Sequence, residues 1–467
     1  MSNAVPSPAP LRTDVLVAGA GPAGLMCARE AAGRGLRVLV LEQSPLPGRK
    51  LAVSGGGKAN FSNRRISPLH YRCGDPAFCA PALKAFSPAV MERLVAAWGL
   101  PTEERAHEQL FLTVPARNLL HCLLDDLRAR GGELRLRQRV LAVRRTADGF
   151  DVATDNGPVL ARAVVLAAGS PAWPQAGGSN AGFRLAQALG HSLVPPFPAL
   201  TPLLLPPESL AAPAPTSAPG PSGPSGPDAA RRVGGSRRLP PAARPAGSPP
   251  EPMRRMPRAD IIEARPHDGE TLAGISLPVR ISLPEADFAP ALARDPLWKD
   301  DLLFTHEGLS GPAALKASLF WEDGSPLEVD FLPDVAFRDM LDAPDAGRRT
   351  PFSLLRQHMP QRLAERLLPP DLAQRRTAEL SRAARERLCA AVHARRFRPA
   401  GRADFRKAEV CGGGVDAREV DPRRMESRLV PGLYLIGEML DVTGLLGGYN
   451  LHWAWASGMA AGRAVPA

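Results

Sequence analysis

Residues 14–42 set a short apolar strand, a Gly-x-Gly-x-x-Gly turn, a helix-forming stretch and a second apolar strand in immediate succession. This is a complete nucleotide-binding βαβ unit, and it commits the chain to an α/β fold around a parallel sheet. Val15–Ala18 forms the first strand. Gly19 permits the tight turn, Gly21 lets the backbone approach a pyrophosphate, and Gly24 lets helix and strand pack closely. Leu25–Arg34 has helical composition, Gly35 ends it, and Val38–Leu41 leads to Glu42. The helix N-terminus offers unpaired N–H groups and partial positive charge to phosphates. Glu42 can accept hydrogen bonds from a ribose diol, and its charge disfavours a 2′-phosphate. The unit therefore points to FAD or NAD rather than NADP.

The chain has 467 residues, enough for two or three domains. No run of 18 apolar residues is present, so no membrane span is expected. The cysteines Cys27, Cys73, Cys79, Cys122, Cys389 and Cys411 form no Cys-x-x-Cys pair and show no metal spacing. Reduced thiols in a cytoplasmic protein, and no metal, are expected. The formal charge is +11, yet among its bases only Lys50, Lys58, Lys84, Lys299, Lys316 and Lys407 are lysines. An arginine bias of this kind, beside abundant Ala and Pro, reads either as compositional drift or as a basic surface for an acidic partner such as RNA.

Residues 14–195 read as α/β, with Leu83–Trp98, Arg117–Arg130 and Asn180–Leu189 helical and Glu133–Val143, Phe150–Thr154 and Ala163–Ala167 extended. Residues 1–13 read as a disordered leader. Residues 206–258 are dominated by Pro, Ala, Ser, Gly and Arg, too poor in large apolar side chains to offset ordering entropy, and read as a disordered insertion. Short β-like runs follow at Ile261–Glu263, Val279–Ser282 and Leu327–Phe331. Residues 352–398 are helical and Arg-rich, and 405–467 return to strand–turn–helix character.

Four further motifs carry chemistry. Gly48–Asn63 holds three consecutive glycines among Arg49, Lys50, Ser54, Lys58 and Asn60; it is either a flexible surface loop or a backbone crowding an anionic, flat ligand. Val164–Gly169 is a buried strand entering a small-residue turn, common in two-dinucleotide flavoproteins; by the same analogy a backbone group near Val140 meets an adenine edge. Pro431–Val442 is a strand ending at Gly437 before Glu438, followed by Gly447-Gly448-Tyr449-Asn450 and a helix over Leu451–Val465. In flavoproteins that geometry sets an acid on the ribityl chain and a helix N-terminus at the flavin N1–C2=O edge. His452 lies just inside this helix, either to donate a proton or to cap the site. Finally, Leu303–Pro312 holds His306-Glu307 beside Gly and Ser, either an acid/base pair or a turn closing the β-rich region.

Together these motifs resemble one family of bacterial flavoproteins, the BaiN/RdsA-like NAD(P)/FAD-dependent oxidoreductases. Its pattern of G-R-K…S-G-G-G-R-C-N-F-T-N, F-T-H-x-G-x-S-G-P and G-E-x-L-D-x-x-G…G-G-Y-N-L-Q-W-A is matched by Gly48–Asn63, Phe304–Pro312 and Gly437–Ala454. The family includes an enzyme reducing dehydro-bile acids, an enzyme making dihydrouridine in 23S ribosomal RNA, and relatives called aminoacetone oxidases. The resemblance implies a Rossmann-type FAD-binding domain, two-dinucleotide-binding-like, with inserted β-barrel and helical domains. On the segmentation above, the FAD domain spans 14–200 and 403–467, the β-rich insertion 201–345, and the helical domain 346–402.

The implied cofactor set comprises Gly19, Gly21, Pro22, Ala23, Gly24, Glu42, Gln43, Arg49, Lys50, Ser54, Gly55, Gly56, Gly57, Asn60, Val140, Ala168, Gly169, Gly437, Glu438, Gly447, Gly448, Tyr449 and Asn450. NADH or NADPH is a candidate transient electron donor, since no second strand–Gly-x-Gly-x-x-Gly–helix is visible. Two departures matter: Ala59 stands where many relatives have Cys, and Lys58 where they have Arg. If that Cys is the proton donor, this chain needs another acid, and His452 and His306 are the candidates.

The expected chemistry is reduction of an electron-poor C=C bond, in a uracil of ribosomal RNA or an enone-like small molecule. An amine oxidase and a non-catalytic flavin-bearing RNA-binding protein are the alternatives.

Overall fold

The computed structural model describes residues 10–206, 271–286, 290–295 and 298–466. Most of the expected leader and nearly all of the Pro/Ala/Gly/Arg-rich insertion, with the run at Ile261–Glu263, lie outside the described residues.

The organising element is a parallel sheet in the order Glu133–Leu136, Val38–Glu42, Leu11–Ala18, Val159–Leu166, Leu433–Leu435. Its middle strands are continuous apolar runs because helices and loops cover both faces; Val15, Leu16, Val17 and Val38–Leu41 are all buried. Leu433–Leu435 pairs with Val164–Leu166, while Gly149–Thr154 pairs antiparallel with the earlier Val159–Ala161 and carries Val140–Thr146 outside it. A strand from the last tenth of the chain therefore completes a sheet begun at residue 11.

The last helix reinforces this closure. Tyr449–Ala464 lies on Pro22–Ala32 through glycines: a Cβ at Gly458 would sit 2.4 Å from the Ala23 carbonyl oxygen, and one at Gly462 2.6 Å from that of Cys27. Arg34 then donates to the carbonyls of Gly462 and Val465. The helix Ala116–Ala129 buries Leu119, Leu120, Leu123, Leu124 and Leu127, one face at helical spacing.

A second sheet is antiparallel and seven-stranded, in the order Arg395–Phe397, Leu327–Asp330, Ser276–Ser282, Lys299–Phe304, Gly308–Ser310, Leu203–Leu204, Gly401–Arg402. Its two edge strands are joined by only three residues. A flat sheet of this width would separate its edges by about 29 Å, whereas that connection reaches about 14 Å, so the sheet curls back on itself, as the expected barrel requires.

Several expectations shift. Leu11–Thr13, expected within the leader, are instead strand, paired with Val159–Ala161. Glu133–Val143 is two strands, broken at Arg137, whose φ of 54° turns the chain from the parallel to the antiparallel part of the sheet. The helical segment holds short helices from Pro351 to His393, but Arg395–Phe397 and Gly401–Arg402 belong to the second sheet. The Gly48–Asn63 loop opens instead as a helical turn from Arg49, broken where Gly55 and Gly56 take left-handed backbone, and it ends in the strand Asn60–Asn63.

Candidate active site

The three fingerprint glycines do different things. Gly19 has φ 116°, and a Cβ there would lie 2.4 Å from the Ala167 carbonyl oxygen; a Cβ on Gly24 would lie 2.1 Å from the Gly19 oxygen. Neither position tolerates a side chain. Gly21 has nothing within 4 Å of its would-be Cβ. It opens onto a cavity of about 760 Å³ that runs from this turn to the second sheet. No side chain caps the helix beginning at Pro22, so its first N–H groups remain available where Gly21, Pro22 and Ala23 line the cavity.

Glu42 is held at the cavity wall by the backbone N–H groups of Ala20 at 2.9 Å and Ser44 at 2.8 Å. Each carboxylate oxygen keeps a second lone pair for a ribose hydroxyl. Arg49 donates to the Gln175 carbonyl, and Lys50 pairs with Glu438 at 2.8 Å. Glu438 also accepts from the Cys411 N–H at 3.1 Å, so the acid after the Leu433–Leu435 strand is fixed from two directions. The Asn450 amide bonds reciprocally to the N–H and carbonyl of Gly444, both at 2.8 Å, closing the glycine-rich loop. Gly448 has φ 95°, and a Cβ there would strike the Ser62 carbonyl oxygen at 2.2 Å.

The structure thus brings together, around one cavity, Gly19, Gly21, Pro22, Ala23, Glu42, Gln43, Arg49, Lys50, Ser54, Gly55, Gly56, Asn60, Val140, Ala168, Gly169, Gly437, Glu438, Gly447, Gly448 and Asn450. Gly24, Gly57 and Tyr449 do not line it. Gly24 packs helix on strand, and the Tyr449 ring is buried beside His70 and Tyr71. An elongated cavity with a capless helix start at one end, carboxylates along its length and cationic side chains beside them fits an extended dinucleotide such as FAD.

The two histidines expected to carry catalysis lie elsewhere. His452 is fully buried, its Nε2 donating to the Phe86 carbonyl at 2.8 Å and its Nδ1 accepting from the Ser62 hydroxyl at 2.9 Å. Burial lowers its pKa to about 4, so near neutrality it is a neutral core residue with both nitrogens engaged. His306 is exposed in the turn after Lys299–Phe304, outside the cavity. That turn is organised by the Thr305 hydroxyl, which accepts from Gly308 N–H at 3.1 Å, while Glu307 pairs with Lys407. Ala59 is also fully buried and off the cavity wall. Burial raises the thiols of Cys27, Cys73, Cys79 and Cys411, which disfavours their thiolate forms.

Sequence reasoning missed His107, Gln109, Asp300, Arg406, Lys407 and Glu409, all on the cavity wall. Glu409 is open to the cavity yet set deep in protein, which raises its carboxyl above the ordinary range. Asp300 accepts from Lys316 at 2.6 Å and lies 3.5 Å from the His107 ring. Asp300 borders a recognised motif, just before Phe304-Thr305-His306, whereas Glu409 and His107 have no local signal.

Among the described residues no helix is long and apolar enough to cross a membrane, and no cluster of ligands suited to a metal is found. The HI0933-like protein Rossmann domain family matches residues 13–464. A ribosomal RNA dihydrouridine synthase of Escherichia coli is 31% identical over 458 residues, covering 96% of this chain and 97% of the relative. Its Haemophilus influenzae counterpart is 29% identical, covering 96% and 98%. A 3-dehydro-bile acid delta(4,6)-reductase of Clostridium scindens is 28% identical, again covering 96% and 98%.

Proposed function

The chain belongs to the HI0933-like family and is an FAD-dependent oxidoreductase, and from that premise we propose that it reduces an electron-poor C=C bond. The observation that supports this most is the single cavity shared by the Gly19–Gly24 turn, the Gly447–Asn450 loop and the second sheet. A cofactor bound along the first two leaves the third for a substrate. The relatives named for dihydrouridine formation and for bile-acid reduction both act on carbon–carbon double bonds conjugated to a carbonyl. The net charge of +11 favours a uracil in ribosomal RNA over a steroid-like enone.

The chain's own residues have distinct tasks in this reading. The Gly19–Gly24 turn and the helix N-terminus hold the diphosphate, and Glu42 takes the adenosine ribose. Glu438, fixed by Lys50 and Cys411 N–H, takes the ribityl hydroxyls, and the start of the Tyr449–Ala464 helix stabilises negative charge on the ring. The flavin, when bound, supplies the hydride. NADH or NADPH is the proposed reductant.

The test is anaerobic titration of the purified protein with NADH and NADPH, followed by reoxidation with a ribosomal RNA transcript or a 4-en-3-one steroid. Bleaching then recovery of the flavin absorbance is the expected result. A gene deletion that leaves the dihydrouridine map of 23S RNA unchanged would refute the RNA version. Hydrogen peroxide release from aminoacetone in air, with no reoxidation by either alkene, would favour an amine oxidase instead.

A further inference from the structure

A reductase of this kind must protonate one alkene carbon, and the histidines in the recognised motifs do not reach the cavity. We propose that His107 is the side chain that exchanges this proton, and that Asp300 and Lys316 are positioning residues holding its ring; this rests on the reductase reading above.

His107 and Asp300 both line the cavity, the first from a turn before the strand Gln109–Leu112, the second from the second sheet. Asp300 Oδ2 lies 3.5 Å from His107 Nε2 and accepts from Lys316 Nζ at 2.6 Å. Lys316 sits on the buried helix Gly311–Phe320, its side chain 2% exposed. A buried ammonium–carboxylate pair is a poor route to stability, but it fixes a carboxylate firmly. Nδ1 of His107 has no hydrogen-bond partner among the described residues and is the nitrogen left to meet a substrate.

The backbone supports the assignment. His107 and Glu108 both have φ 57°, a left-handed conformation that side chains rarely adopt and that concentrates at functional sites. One amide holds this turn against the loop assigned to the flavin ring: Asn63 Nδ2 donates to the His107 carbonyl and to the Gly447 carbonyl, each at 3.0 Å. Gln109, two residues on, lies 3.3 Å from where a Gly447 Cβ would be. His107 is therefore tied to the Gly447 turn without passing through either recognised histidine.

In the step itself the alkene gains a hydride at one carbon and a proton at its neighbour, so its π bond is replaced by two C–H bonds. The hydride comes from a reduced flavin, which is oxidised by two electrons. The proton leaves Nδ1 of the His107 imidazolium, and the neutral ring regains one from water. Desolvation and then the Lys316 charge lower the imidazole's pKa, with Arg65 acting the same way; Asp300 and Asp295 oppose them. The protonated ring is thereby the stronger acid.

The test uses the full-length, flavin-loaded protein labelled at histidine Cε1, with the His107 signal assigned by its loss in His107→Gln. Lys316→Met is expected to move the His107 titration to higher pH and Asp300→Asn to move it lower. A titration unmoved by both overturns the network. For proton delivery, His107→Gln should keep its flavin content and its photoreduction. Its reoxidation by the RNA transcript or the 4-en-3-one steroid should slow by about 100-fold or more, with the imidazole limb lost from the pH profile. Wild-type reoxidation rates with an unchanged profile would overturn the proposal. If the wild-type protein is reoxidised by neither probe, the reductase reading fails, and an unmoved titration would still separately overturn the network.

Discussion

At the Gly19–Gly24 end of the cavity the backbone does the holding; at the His107 end side chains do. The first is one contiguous stretch whose requirements are absent side chains and free N–H groups. The second is assembled from positions 63, 107, 300 and 316, on four separate elements, and depends on charge neutralised in the interior. A site made of backbone demands glycine at fixed spacing and so leaves a short signature. A site made of converging side chains leaves none, because only the fold sets the spacing.

That contrast can be broken in order of expected effect. Gly24→Val should be the most damaging change, since even a Cβ would overlap the Gly19 carbonyl at 2.1 Å. The expected product is colourless or insoluble protein, checked by flavin content after purification; a yellow, folded variant would show the turn to be more plastic than its geometry implies.

Lys316→Met, leaving the part-exposed Asp300 carboxylate without its partner on the cavity wall, should cost about 1–3 kcal/mol in urea unfolding. Pairing it with Asp300→Leu should recover much of that loss while leaving the His107 ring unheld. No recovery in the double variant would count against the pair as the source of the cost.

The buried His452 contributes a pH dependence. Its folded pKa of about 4 lies below the ordinary 6.5, so the unfolded chain binds the proton more readily. The stabilisation is complete above pH 6.5 and is lost as pH falls toward 4, by up to about 3 kcal/mol. His452→Gln should flatten unfolding midpoints between pH 7 and 4.5. An unchanged slope would place the titrating group elsewhere.

Glu42→Gln keeps the shape but removes the charge facing the ribose, and should weaken FAD affinity about tenfold. Fluorescence recovery on FAD release measures it. His306→Ala, at an exposed turn, should change stability by less than about 0.5 kcal/mol and leave turnover intact. A large loss of turnover would return that motif to the catalytic list.

Much of this was legible before folding was considered. Gly19, Gly21, Glu42, Lys50, Asn60, Glu438, Gly447 and Asn450 line the cavity, while Gly24, Gly57 and Tyr449, from the same segments, do not. Local pattern failed in two ways. It took a histidine's position beside a ring-binding loop as evidence that it faces the ring, but helix phase turns His452 into the core toward Phe86. It also read Glu133–Val143 as one strand, because alternation cannot reveal a backbone reversal at Arg137.

The residue order alone marked both chain ends as glycine-rich turns, since the Gly19–Gly24 spacing, the close approach of Gly24 to the Gly19 carbonyl and the left-handed backbone at Gly448 are local, whereas the packing of Gly19 on Ala167 and of Gly448 on Ser62 is tertiary. Which side chains share the far end of the cavity was decided only when the second sheet docked. An imidazole, a carboxylate and an ammonium meet there across about 200 residues of chain, and contacts of that range follow from packing rather than from spacing.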